Sequence, residues 1–111
     1  MKPDVTPERG DIVWLDFDPA AGHEQAGHRP ALVLSPKVYN AKTGLMLCCP
    51  LTTKIKGYPF EVAIAGKVPS VALADQVKSL DWRTRHARVK GIASKDEVAA
   101  VLARVRALLA L

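Results

Sequence analysis

The chain has no apolar run near the roughly 18–20 residues that a membrane-crossing helix requires, and its opening residues, Met1-Lys2-Pro3-Asp4, lack the hydrophobic stretch of a secretory signal. A soluble, cytoplasmic protein is the expectation, with no membrane partner. Cysteine is scarce. Cys48 and Cys49 are adjacent and no second cluster accompanies them, so they do not make a zinc site. In an extended strand their side chains point to opposite faces and cannot pair, which leaves them as small packing residues. Also missing are a phosphate-cradling Gly-Lys-Ser/Thr signature, a metal-ligand cluster and a Gly-x-Ser-x-Gly turn. Their absence removes support from nucleotide hydrolysis, zinc chemistry and esterase chemistry, and implies neither a metal nor a cofactor.

What is present describes a globular unit. The 111 residues are 49% hydrophobic and 24% charged, which suits a single domain spanning 1–111 with a modest core. Sixteen Lys and Arg against eleven Asp and Glu give a net charge of +5 and a pI near 9.5, a balance that favours polyanionic partners such as nucleic acid. The bland alternative is a solubilising surface charge. Distribution leans toward binding: Arg83, Arg85, His86, Arg88 and Lys90 crowd one short stretch, while acids are denser toward the amino end.

Asp11–Asp18 is rich in β-branched and aromatic residues after Gly10 and reads as a strand. Further strands are expected at 31–35, 45–51, 60–64, 70–77 and 85–92, with turn chemistry at 39–44. Six short strands suggest a curled or closed antiparallel sheet. Val98, Val101, Leu102, Val105, Leu108 and Leu109 follow steps of three and four, which predicts a helix with one apolar face. Ser94-Lys-Asp-Glu97 is a capping box at its start. Packing of this helix on the sheet is the simpler reading, and an interface with a partner subunit is the other.

Two loops carry reactive side chains. Pro19–Pro30 has no hydrophobic period and holds His23, Glu24, His28 and Arg29; long loops of this kind are often functional. Pro30 forces Arg29 toward extended geometry at the mouth of the next strand. A guanidinium grips phosphate with two parallel bonds and keeps its charge at any relevant pH. Glu24 is the matching base candidate, although a Glu24–Arg29 surface ion pair explains the same residues. The histidines are proton carriers or simply solvated. The second loop, Thr52–Pro59, sets Thr52, Thr53, Lys54 and Lys56 beside Tyr58, joining phosphate-seeking donors to a ring on which a base can stack. A lysine-rich, solvated hairpin tip is the alternative.

Gly10-Asp-Ile-Val-Trp-Leu-Asp-Phe-Asp-Pro19, Glu24-Gln-Ala-Gly-His-Arg-Pro-Ala-Leu-Val-Leu-Ser35, Thr52-Thr53 with Lys56-Gly-Tyr-Pro-Phe-Glu61, and Val71–Ser79 together resemble the MazF/PemK toxins over nearly the whole chain. The resemblance implies a mainly β, SH3-like antiparallel barrel of the CcdB/MazF type with a C-terminal helix. It implies a homodimer that is a sequence-specific endoribonuclease, cleaving single-stranded RNA and halting translation. It also implies a MazE-like antitoxin partner. Carried onto this chain, the catalytic arginine is Arg29, the catalytic threonine is Thr52, and Glu24 matches an acid implicated in activity. The RNA contacts expected with them fall on Phe17, His28, Thr53, Lys54, Lys56, Tyr58, Gln76 and Arg85. Two other classes fit a small basic barrel: a non-catalytic toxin like the CcdB gyrase poisons, and a binding module for single-stranded nucleic acid or peptide.

Overall fold

The computed structural model describes residues 5–17 and 27–111. His23 and Glu24 fall outside the described residues, as do the side chains of Phe17 and His28. In chain order the elements are β1 (Asp11–Phe17), β2 (Gly27–Val33), α1 (Lys37–Thr43), β3 (Leu45–Thr52), β4 (Glu61–Ile64), β5 (Ser70–Leu73), a 3-10 turn (Ala74–Gln76), β6 (Lys78–Asp81), β7 (Arg88–Ile92) and α2 (Lys95–Leu108). The strands form one curled seven-stranded sheet in the order β4-β5-β3-β2-β1-β7, with β6 also on β3. Every pairing is antiparallel.

Strand β3 is the hub. One edge pairs with β2 from Cys48 to Pro50. The other pairs first with β6, from Leu45 to Cys48, and then with β5, at Leu51 and Thr52. Pro50, which has no N–H to give a ladder, sits at this changeover, and the 3-10 turn joins the two partner strands beside it. The expected strand over 70–77 is therefore two strands with a corner between them, and the sheet has seven strands rather than six. The strand expected at 85–92 begins only at Arg88, because 82–87 form a turn in which the Asp81 carboxylate accepts from the N–H groups of Arg83 and Thr84. The first loop is also shorter than expected: Gly27–Pro30 belong to β2, with Arg29 opposite Leu15 and Pro30 opposite Trp14. Pro30 is tolerated there just beyond the last β2–β3 pair.

Alternation along β3 feeds two cores. Cys49 packs with Leu32, Leu34, Val62, Ile64, Ala72 and Val101 on one face, while Cys48 packs with Val13, Leu15, Ala31, Val33, Met46 and Trp82 on the other. The adjacent cysteines are thus free thiols buried back to back. Burial pushes the Cys48 thiol up to about 11 and the Cys49 thiol up to about 12, so both stay protonated at neutral pH.

Helix α2 covers the first core with Val98, Val101, Leu102 and Val105. Leu108 and Leu109, expected on the same apolar face, are exposed at its end. The capping box is formed: Glu97 N donates to Ser94 Oγ at 3.1 Å and Ser94 N to Glu97 Oε1 at 2.8 Å. Glu97 Oε2 also accepts from Ala65 N at 2.7 Å, tying the helix start to the β4–β5 connection.

The segment read as turn chemistry, 39–44, is mostly the end of α1 (Lys37–Thr43), which Gly44 terminates in the left-handed region at φ 74. Its one buried residue, Asn40, is a polar hub. Nδ2 donates to the carbonyls of Pro7 (2.8 Å) and Ser35 (3.1 Å), and Oδ1 accepts from Ser35 Oγ at 2.6 Å. Its own carbonyl accepts from Trp82 Nε1 at 2.9 Å.

Two stability predictions come from these contacts. Asn40→Ala orphans buried carbonyls and a hydroxyl and should cost about 2–3 kcal/mol in urea denaturation. Backbone N–H bonds from Ala65 and Ser94 hold the Glu97 carboxyl below the ordinary glutamate range. Its stabilisation is therefore complete above the unfolded-state value near 4.3 and fades as pH falls through the lower folded one. The Tm gap between the protein and Glu97→Gln should accordingly be widest above pH 5 and narrow steadily toward pH 3.

Candidate RNA-binding and cleavage site

The second loop and the β5–β6 corner face each other across a cavity of about 220 Å³. Thr52, Lys54, Lys56 and Tyr58 line one side, and Gln76 lines the other. Five of the residues singled out in the sequence thus share one concave surface. Thr52 is the last residue of β3. Its Oγ1 accepts from Lys54 N at 3.1 Å, which starts the loop and leaves the hydroxyl hydrogen as a donor. Thr53 is exposed on the same loop.

The loop is held from beneath. Glu61, at the start of β4, accepts from Lys56 N at 3.1 Å and from Gly57 N at 2.9 Å, and Gly57 supplies the turn with φ +80. Arg104 of α2 donates from Nε to the Pro59 carbonyl at 2.9 Å. Lys56 Nζ lies 5.7 Å from the Tyr58 ring centroid, and Tyr58 is 60% exposed. The side that meets solvent is therefore a cation and a ring on an anchored backbone, an arrangement suited to phosphate and a stacked base. Sequence reading missed Glu61, whose signal was its place directly after the Pro59-Phe60 break, and Asp75, which lines the cavity beside Gln76.

Arg29 is not part of that lining. It is exposed in β2, and its place follows from register. The β2–β3 pairs run Val33↔Cys48, Leu32↔Cys49 and Ala31↔Pro50. Carried two residues past the last of these, the same register sets Arg29 opposite Thr52, on the sheet face that Ala31, Val33 and Cys48 share. Arg85 lies elsewhere, in a second cavity of about 490 Å³ with Asp16, Asp81 and His86. Asp16 N donates to the Arg85 carbonyl at 2.8 Å, which docks the 82–87 turn on β1 next to Leu15, the partner of Arg29.

The family model for the PemK-like, MazF-like toxins of type II toxin–antitoxin systems matches residues 8–109. The chain belongs to this family. Among curated relatives it is 55% identical over 104 residues to the endoribonuclease toxin MazF of Escherichia coli (strain K12), covering 93% of this chain and 94% of that protein. It is 40% identical over 108 residues to the endoribonuclease toxin ChpB of the same strain, covering 91% and 92%. Among solved structures, MazE–MazF of Deinococcus radiodurans (crystal form II) superposes with a TM-score of 0.90 at 51% identity, over 97% of this chain and 99% of that one. MazF of the same organism alone gives 0.86. The mainly β fold with a curled antiparallel sheet and a C-terminal helix is thus the fold of solved MazF proteins. Among the described residues, no helix is long and apolar enough to cross a membrane.

The anchoring of the loop can be tested directly. Glu61→Ala removes the acceptor of two backbone N–H groups, so the amides of Lys56 and Gly57 should exchange with deuterium at least tenfold faster, while those of the buried strand β3 keep their protection.

Proposed function

We propose that this protein is the endoribonuclease toxin of a type II toxin–antitoxin pair, cutting single-stranded RNA at a short sequence without a metal ion and thereby halting translation. Kinship with MazF and ChpB supports the reaction class. What supports the site is the β2–β3 register, recorded from Val33↔Cys48 to Ala31↔Pro50, whose continuation by two residues would bring Arg29 across from Thr52 at the start of the loop of Lys54, Lys56 and Tyr58.

RNA contains its own nucleophile. The 2′-hydroxyl oxygen attacks the adjacent phosphorus and loses its proton to a base, while the P–O5′ bond breaks and the leaving oxygen takes up a proton. The products are a 2′,3′-cyclic phosphate, or the 3′-phosphate formed from it by hydrolysis, and a 5′-hydroxyl. Arg29 neutralises the charge that accumulates on the non-bridging oxygens, where a fixed cation is most effective. Thr52 donates its hydroxyl hydrogen to one of them. A guanidinium is a poor base, so proton transfer is assigned to Glu24 or His28. Phe17, Thr53, Lys54, Lys56, Tyr58, Gln76 and Arg85 hold the flanking strand by stacking and phosphate contacts.

The working form is a cytoplasmic homodimer restrained by a MazE-like antitoxin; the MazE–MazF complexes of Deinococcus radiodurans support the antitoxin partner. Incubation with a long defined RNA in EDTA, followed by mapping of the cut ends, should give 5′-hydroxyl termini at one short motif. A substrate with a single 2′-deoxy nucleotide before the scissile bond should survive. Arg29→Ala should lower the rate by several orders of magnitude with an unchanged Tm. Cleavage of the 2′-deoxy substrate at the normal rate, or a loss below about tenfold in Arg29→Ala, would overturn the mechanism. Binding of RNA without any product would return the chain to the class of non-catalytic modules.

A further inference from the structure

The cavity of about 220 Å³ that Thr52 lines carries two ammonium groups, on Lys54 and Lys56, and two carboxylates, on Glu61 and Asp75. The two acids are not equivalent. Glu61 is committed to the loop, because its oxygens accept from the N–H groups of Lys56 and Gly57. Asp75 is exposed, and among the described residues neither a hydrogen bond nor an ion pair reaches its carboxylate. It nevertheless stands on firm backbone, as the middle residue of the 3-10 turn Ala74–Gln76. Ala74 is fully buried in the core beneath α2, and its N–H donates to the Phe60 carbonyl at 3.0 Å. On the strand side, Leu73 is paired with Glu61. The β5–β6 corner therefore holds one uncommitted acceptor at a fixed place on the cavity wall.

A free carboxylate repels a phosphodiester, so its use in this cavity is toward a group that donates. Single-stranded RNA offers such groups on the edges of its unpaired bases: N4 of cytosine, N6 of adenine, and N1 with N2 of guanine. Uracil has no exocyclic amine, and its N3–H lies between two carbonyl oxygens that a carboxylate repels.

We propose that Asp75 is a specificity-determining residue, accepting from the exocyclic amine of one base of the cleaved RNA and discriminating against uracil there. This rests on the RNA-cleaving reading above and names how that site selects its sequence. The lysines meet backbone phosphates, the exposed Tyr58 ring gives the base a face to stack on, and Asp75 reads its edge. The cavity is smaller than the roughly 300–1,000 Å³ of a pocket for a drug-sized ligand, which suits one base rather than a run of strand. Seating a base strips water from the carboxylate. A base without the amine then leaves it unpaired, the condition under which a hydrogen-bonding site rejects an analogue most strongly.

The experiment starts from the cut motif, mapped on a long defined RNA with the intact protein. Each amino-bearing base of that motif is replaced singly by the analogue that lacks only its amine: purine riboside for adenosine, pyrimidin-2-one riboside for cytidine, inosine for guanosine. On every RNA, kcat/KM is measured for the intact protein, for Asp75→Ala and for Asp75→Leu, which keeps a branched shape without an acceptor. At one position, loss of the amine should cost the intact protein at least about fivefold more than it costs either variant, whereas at the others the losses should match. A merely structural role would lower all rates together and leave these ratios unchanged. Where a variant cuts too slowly to follow, the Kd of the same RNAs with a 2′-deoxy nucleotide before the scissile bond gives the same comparison. A difference below fivefold at every position with either variant, or a motif of uracil alone, would overturn the role of Asp75 while RNA cutting stands. A protein that cuts no RNA at all overturns the parent reading instead.

Discussion

The architecture depends on one strand being buried on both faces. β3 gives Cys49 to the core beneath α2 and Cys48 to the core beneath Trp82, while its edges bond β2, β6 and β5. Small side chains at the centre let both layers approach closely, and burial on both sides fixes the register because a one-residue slip would exchange the two faces. That register in turn fixes the end of β3, where Thr52 pairs with Val71 of β5, two residues beyond the Ala31–Pro50 pair with β2. The chemistry proposed for this protein therefore rests on packing several residues away from it.

Much of this arrangement was legible in the residues. Strand β1, the core of β3 and the capped helix α2 announced themselves through period and capping chemistry, and the back-to-back cysteines followed from alternation alone. The misreadings share a physical origin. β6 was missed, and its neighbour overextended, because a corner of three residues in 3-10 geometry leaves the apolar pattern of 70–77 nearly unbroken. α1 looked like a turn because its buried member is Asn40, whose burial is stabilised by long-range partners at Pro7 and Trp82 that no local window contains.

The candidate site was legible by kind more than by placement. Thr52, Lys54, Lys56 and Tyr58 stood out through residue chemistry, yet the supports that make their loop a surface come from Glu61 and Arg104, the latter 45 residues from its partner. Arg85 was read together with its basic neighbours as one patch. Folding divides that patch: Arg83 is turned onto Trp82 and Ala41, while Arg85 and His86 line a cavity and Arg88 faces Asp16. Net charge told of a polyanionic partner, and only tertiary contacts say which of the cations are placed to meet it.

The pairing of β1 with β7 joins Asp11 to Ile92, so the first strand made waits for nearly the last. Contacts this distant in sequence form slowly, since a long loop must close before they contribute. During synthesis β1 keeps one bare edge until β7 has been made. Truncated products from interrupted translation consequently expose strand edges that chaperones and proteases recognise.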